Sequence, residues 1–326
     1  MRRRELIAAI GGAALFGSLA PAGARQSKQQ LIATLSQGSE GSGELLLQTF
    51  RQALAALGYD DDKIDIESRW ANGSADRLPA LAAELVRLEP AVIVASSGTA
   101  ARALKNATAT IPIVMAVSDD PVGSGLIESM AHPGGNLTGF SFAQEDTVGR
   151  ELQLLTTMAP NTRRVAVFAN PKSRSSGPIV RALHTAAVSL QIEAMLAEAA
   201  TPAEIAPAFE RARTERADAI LVLGDGLFTS ERRRLIELAA GGRLPAIYHD
   251  HIFVEDGGLM SYGGDLGDNY RRTAAFVDKI LRGAKPADLP VEEPTKFYLF
   301  INRRTASALG LGIPPILEAQ ADRIIE

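Results

Sequence analysis

Short apolar runs alternate with amphipathic segments along almost the whole chain, and that alternation constrains the fold more than any other feature. Residues 92–95, Val-Ile-Val-Ala, are too few for a helix and uniformly apolar, like a strand buried on both faces of a parallel sheet. Ser96, Ser97, Gly98 and Thr99 follow, then an Ala/Leu/Lys segment of good helix propensity. A second apolar run, over 111–117, ends in Ser118, Asp119, Asp120 and Pro121. Both strands finish in small polar residues, which suits a ligand crevice at the carboxyl ends of an α/β sheet. Free N–H groups at the helix start after Ser97 suit a carboxylate. A helix cap at Ser96 or Ser97 is the plainer use of the same residues.

The strand–helix pattern runs twice. In the first series a strand over 31–35 leads into a polar, glycine-containing loop at 36–42 and a helix over 44–57 that ends at Gly58. An alternating edge strand over 64–68 and a helix over 76–88, with Leu78, Leu81, Leu85 and Leu88 on one face, precede the central stretch. A helix over 145–158, closed by Pro160, opens the second series. Its strands fall at 164–169, 192–196, 219–223, 246–248 and 259–262, with helices over 176–190, 201–213 and 230–240. Right-handed crossovers wind each series into a parallel sheet, so the expected class is α/β with two Rossmann-like lobes. Residues 140–145 are the expected crossover between them. After Gly263 and Gly264 come a helix over 265–282, a stretch at 286–294 extended by its prolines, a strand over 297–301, a short helix over 303–309 and a docked tail over 318–325. The tail has to cross back, giving about three linkers. The expected division is 27–141 plus about 264–290 for one lobe, and 142–263 plus about 291–326 for the other.

Composition narrows the function classes. At 326 residues two domains are the expectation, and 46% apolar residues are enough to bury sizeable cores. A net charge of −4 with no Lys/Arg-rich run speaks against a nucleic-acid partner. The chain has no cysteine, which removes thiol catalysis, disulfides, thiolate-held metals and a lipid-modified cysteine. Residues 1–24 read as an export signal: Arg2, Arg3 and Arg4, an apolar core over 6–19, and a small-residue cleavage site at Ala22, Gly23 and Ala24. Consecutive arginines resemble a twin-arginine leader. The expected mature protein is periplasmic, soluble, monomeric and without membrane insertion.

Several ordered segments together resemble one family. They are residues 69–73 (RWANG), 78–86 (LPALAAELV) and 112–141 (PIVMAVSDDPVGSGLIESMAHPGGNLTGFS), then Asn170-Pro171, 257–263 (GGLMSYG), 270–297 and 308–315 (ALGLGIPP). The whole mature chain resembles the ABC-transporter substrate-binding family that includes the tryptophan-binding TrpX-like proteins. The resemblance implies a type I periplasmic-binding-protein-like fold, with two lobes on a three-strand hinge and a small-molecule ligand in the cleft. It also implies an ABC transporter permease as partner and no cofactor. The loop at 36–42 departs from its counterpart in the tryptophan binders, so the resemblance carries the transport role further than the ligand.

The same resemblance places Gln37, Ser96, Ser97, Thr99, Ser118 and Asp119 of the first lobe, and Asn170, Ser173, Asp225 and Tyr248 of the second, around the ligand. Such a set fits an amino-acid-like solute, aromatic ones included. Hydroxyls and helix-start N–H groups take a carboxylate, Asp225 or Asp119 an ammonium, and Tyr248 packs on an apolar side chain. Each residue has a structural rival. Asp119 and Asp120 precede a proline and suit a turn. Asp225 lies between glycines and suits a helix cap, and Trp70 suits an anchor at a strand end. Gly134, Gly135 and Asn136 read as a turn. His249, Asp250 and His251 form the one metal-like cluster, without a third spaced ligand. No nucleophile elbow, Walker loop or dinucleotide fingerprint occurs, so no enzyme is expected. The leading reading is an importer's solute-binding component; a periplasmic ligand sensor that docks on a receptor is the second, and a cleft enzyme of the same fold the third.

Overall fold

The computed structural model describes residues 29–174 and 176–326. The export signal read at 1–24 lies outside the described residues.

The first series forms β1 (Gln30–Ser36), α1 (Glu40–Ala56), β2 (Ile64–Trp70), α2 (Leu78–Arg87), β3 (Val92–Ala95), α3 (Gly98–Ala107), β4 (Ile113–Met115) and β5 (Leu137–Gly139). Its sheet is wholly parallel, in the order β2-β1-β3-β4-β5. β5 is a strand that hydropathy does not announce, since Leu-Thr-Gly offers only one large apolar residue. It exists because Gly139, at φ +130, lets the backbone pass against Met115, where a Cβ would overlap the Met115 carbonyl.

The second series forms α4 (Gln144–Met158), β6 (Arg164–Ala169), α5 (Ser176–Leu190), β7 (Glu193–Glu198), α6 (Pro202–Thr214) and β8 (Ala219–Val222). It continues through α7 (Gly226–Ser230), α8 (Arg232–Gly241), β9 (Ala246–Tyr248), α9 (Ile252–Glu255) and β10 (Met260–Gly263). The helix expected over 230–240 is α8, and the short α7 before it is an element the sequence did not suggest, begun by the cap at Asp225. α10 (Leu266–Leu281), β11 (Tyr298–Asn302), α11 (Arg303–Ala308), α12 (Pro315–Gln320) and β12 (Arg323–Ile325) complete the chain. The second sheet runs β12-β11-β10-β9-β8-β6-β7, parallel except where β10 meets β11. The C-terminal tail is more than a docked end: it forms a helix and then the edge strand β12, which pairs with β11. The stretch expected to be extended at 286–294 begins instead with a 3-10 turn over Pro286–Asp288.

Each sheet has an apolar cluster on both faces. In the first, α2 and α3 cover one face, and Leu47, Phe50 and Leu54 of α1 meet Ala274, Val277 and Ile280 of α10 on the other. In the second, α4 and α5 cover one face while α6, α8 and α9 cover the other. Helix α10 follows β10 in sequence yet packs on the first sheet. The chain therefore passes between the two sheets three times, after β5, after β10 and before β11. These passages are tied side by side. Ser141 N donates to the Glu292 carbonyl at 2.9 Å, and Phe142 N to the Ser118 carbonyl at 2.8 Å. Gly263 and Gly264 lie against the Phe142 ring, where a side chain at Gly263 would overlap the His249 carbonyl.

Candidate functional site

The two sheets repeat one arrangement around their first strands, β2-β1-β3 and β7-β6-β8. In each, successive connections leave in opposite directions from neighbouring strands, so the loops at the carboxyl ends diverge and open a crevice. The crevices face each other. They enclose an open cavity of about 760 Å³, lined from both halves of the molecule.

Ser96, Ser97, Thr99 and Asp119 line this cavity from the first half, and Ser173 and Asp225 from the second. Gln37 and Asn170 do not line it but stand immediately behind, both buried. Each donates to the same atom: Asp225 Oδ1 accepts from Gln37 Nε2 at 3.3 Å, Asn170 Nδ2 at 3.1 Å and Leu227 N at 2.8 Å. Asp225 thus caps α7, the structural role weighed for it from sequence, and also lines the cavity. Ser97 Oγ likewise accepts from Ala100 N at 3.2 Å, capping α3, while it faces the cavity.

Two of the expected residues lie elsewhere. Ser118 is fully buried, and its carbonyl receives Phe142 N, so it belongs to the crossing between the halves. Tyr248 is 1% exposed and stacks on Phe253 at 4.5 Å and 13°, inside the core beneath α8 and α9. The expectation that Tyr248 packs on a ligand is corrected by strand geometry. Successive side chains of β9 alternate between faces, so Tyr248 turns into the core. Its neighbour His249, just past the strand, reaches the cavity.

The neighbouring motifs resolve as structural. Asp120 Oδ1 accepts from Gly123 N at 2.7 Å in a turn. Asn136 Nδ2 donates to the Thr108 and Ile111 carbonyls. The Trp70 ring lies against α1 where only a glycine fits, since a Cβ on Gly43 would overlap it. Asp250 accepts from Ile252 N at 2.9 Å and Leu266 N at 3.1 Å, fixing the second crossing. Among the described residues no group of three or more His, Asp and Glu is placed to hold a metal.

The cavity is electrostatically one-sided. Burial pushes the Asp225 carboxyl up to about 6, against the three hydrogen bonds that favour its charge. Burial, then the nearby Asp225 and Asp120 charges, push Asp119 up to about 7. The Asp119 Oδ1 atom is sealed from solvent and has no hydrogen-bond partner, although the residue as a whole is half-buried. His249 is held near 4 by burial and is therefore neutral, with Nε2 3.3 Å from Thr229 Oγ1. Among the described residues, no Lys or Arg lines the cavity. A buried carboxylate pair without a counter-charge favours a cationic group between them.

The remaining walls were not singled out by motif reading. Leu46 of α1, Val117, Phe142 of the first crossing, and Leu266 and Tyr270 of α10 supply apolar surface. Tyr270 sits four residues after Leu266, so the two share one face of α10. That spacing was legible, but it reads equally well as core packing. Only the return of α10 to the first sheet turns the face toward the cavity.

Comparison with known proteins agrees with this architecture. The family described as ABC transporter substrate binding protein matches residues 37–325. A tyrosine-binding protein of Clostridioides difficile (strain R20291) is 28% identical over 263 residues, covering 80% of this chain and 75% of that one. A solved ABC domain in complex with L-Trp from Streptococcus pneumonia has a TM-score of 0.84 at 26% identity, covering 91% of this chain and 100% of that one. A conserved domain protein from Vibrio cholerae has the same TM-score at 28% identity, with the same coverage of both chains. With the match running from the first cavity loop to the last strand, the chain belongs to the ABC transporter substrate binding protein family.

Proposed function

We propose that this protein is the exported, periplasmic solute-binding component of an ABC importer. It takes an amino-acid-like solute with an aromatic or other apolar side chain into the cleft and hands it to the permease. The observation that carries this reading is the pairing of Asp119 and Asp225, one from each half, across a cavity that also has apolar walls. An ammonium neutralises the pair, and Leu46, Phe142, Leu266 and Tyr270 cover an apolar side chain. The amino acids named for the relatives, L-Trp and tyrosine, have this chemistry.

In this reading the lobes are 27–141 with about 264–290, and 142–263 with about 291–326. Ser96, Ser97, Thr99 and Ser173 supply hydroxyls to the ligand. Gln37 and Asn170 act through Asp225 by holding its Oδ1. Because Gln37 and Asp225 belong to different lobes, their hydrogen bond exists only while the lobes are together, and it ties ligand capture to closure.

A thermal-shift screen of the purified protein against amino acids, aromatic acids and other small metabolites tests the reading. A ligand at 100 times its dissociation constant stabilises the native state by roughly 2.7 kcal/mol. A shift with L-tryptophan or L-tyrosine, lost in Asp225→Ala, is the expected result. A shift confined to solutes without an ammonium group overturns the ligand assignment. Ligand recovered chemically altered after incubation overturns the binding-only role.

A further inference from the structure

A second cavity of about 390 Å³ adjoins the first and shares Gly98, Thr99, Asp119 and Ser173 with it. Its other walls include Arg102 of α3, and Lys172 and Arg174 of the loop after β6. Among the described residues no Lys or Arg lines the main cavity, whereas this annex has three. Resting on the amino-acid reading above, we propose that the annex is the anion subsite of the same ligand pocket, where Arg102 and Arg174 hold the ligand's carboxylate.

The three cations are not equivalent. Lys172 is already paired with Asp76 of the first half at 2.7 Å. Arg102 and Arg174 form no ion pair with a carboxylate among the described residues. Arg102 comes from the first half and Arg174 from the second, so bringing the halves together brings two like charges together. Burial, and then the Arg174 charge, hold the Arg102 guanidinium below its ordinary range. An anion between them removes that repulsion and gives both guanidiniums the planar partner they bind best. Arg102 is also fixed in advance, since it donates to the carbonyls of Ser124 and Gly125. A donor already held in place loses less freedom when the ligand arrives.

The position relative to Asp119 gives the ligand an orientation. Asp119 stands on the wall shared by the two cavities, with its sealed Oδ1 unpartnered. In an α-amino acid the ammonium and the carboxylate are borne by one carbon. An ammonium at Asp119 therefore leaves the carboxylate beside the annex and directs the side chain into the main cavity, toward Phe142 and Tyr270. The outer surface of the ligand head is then read by cations and the inner surface by carboxylates. Such a site discriminates against amines that lack the carboxylate as well as acids that lack the ammonium.

Titration calorimetry on the protein and on Arg174→Gln tests this, with L-tryptophan, L-tyrosine and tryptamine as probes. Arg174 is exposed and makes no structural ion pair among the described residues, so its replacement leaves the fold intact. The expected result is a loss of about 10- to 100-fold for the two amino acids. Tryptamine, which has no carboxylate, is unaffected, and Arg174→Lys restores part of the loss. Unchanged amino-acid affinity in Arg174→Gln, or an equal loss for tryptamine, overturns the proposal. If neither amino acid binds the unaltered protein, the amino-acid reading fails by itself. Acetate and inorganic phosphate then decide the annex: weaker binding to Arg174→Gln than to the unaltered protein supports it, and equal binding overturns it.

Discussion

Replacing Asp225 by asparagine separates what this residue does for binding from what it does for stability. All three donors around it, Leu227 N, Asn170 Nδ2 and Gln37 Nε2, meet Oδ1. An asparagine carbonyl can accept the same three, so the variant loses the charge and keeps the network. The folded carboxyl titrates at about 6 instead of 3.8, because burial disfavours the charged form. A rise of that size corresponds to about 3 kcal/mol. The sign follows from the raised value: the contribution is present below about 4 and is lost as the pH rises through about 6, where the buried charge must form. At pH 8 the ligand-free Asp225→Asn variant should therefore be more stable than the unaltered protein by up to about 3 kcal/mol, a rise of several degrees in melting temperature. At pH 4 the two should melt together. Scanning calorimetry of both proteins from pH 4 to 8 measures the gap, and calorimetric titration with L-tryptophan should show binding lost in the variant. A gap that is absent at pH 8, or that narrows with rising pH, refutes the assignment of Asp225 as a charge whose burial outweighs its hydrogen bonds. Binding retained in the variant refutes its role toward the ammonium.

Four further outcomes are expected. Affinity for an ammonium-bearing ligand should rise as the pH climbs through about 7, where Asp119 ionises, and Asp119→Asn should flatten that profile in titrations from pH 5 to 8. Tyr248→Leu should cost about 2–4 kcal/mol in urea unfolding while leaving ligand affinity unchanged, because the ring is buried against Phe253 and away from the cavity. Gly43→Ala should cost about 1–3 kcal/mol and weaken binding, since the new methyl displaces either Trp70 or the first turn of α1, which walls the cavity. Lys172→Ala should change stability by only about 0–1 kcal/mol by the same assay, because the Asp76 pair is solvent-exposed.

The legible part of the fold was the part governed by local pattern. Strands such as Val92–Ala95 and Arg164–Ala169 are apolar on both faces and lie close to where hydropathy puts them. The parallel class follows, because helices must cross between such strands. β5 and β12 were not legible, since Leu-Thr-Gly and Arg-Ile-Ile lack the apolar run that marks the equally short β4 and β9, and they form through partners already in place. The short α7 was not legible either, because it depends on the cap at Asp225, which sequence weighed against a ligand role.

The candidate site divides along the same line. Strand-end loops rich in Ser, Asp, Asn and Gly marked out Ser97, Thr99, Asp119 and Asp225, because the carboxyl ends of parallel strands are where an α/β sheet opens. From the amino-acid order alone came the class of fold, the family resemblance and those polar loops, all products of short-range pattern. Tertiary structure alone decided which residues share one cavity. Tyr248 is buried beneath α8 and α9 while His249, past the end of β9, faces it, because helices cover both faces of the second sheet and only the strand ends are open. Tyr270 and Leu266 enter it because α10 crosses back to the first sheet. The two carboxylates oppose each other, and the two arginines meet, only because two sheets far apart in sequence are held together by three crossings, a long-range packing result that no local window contains.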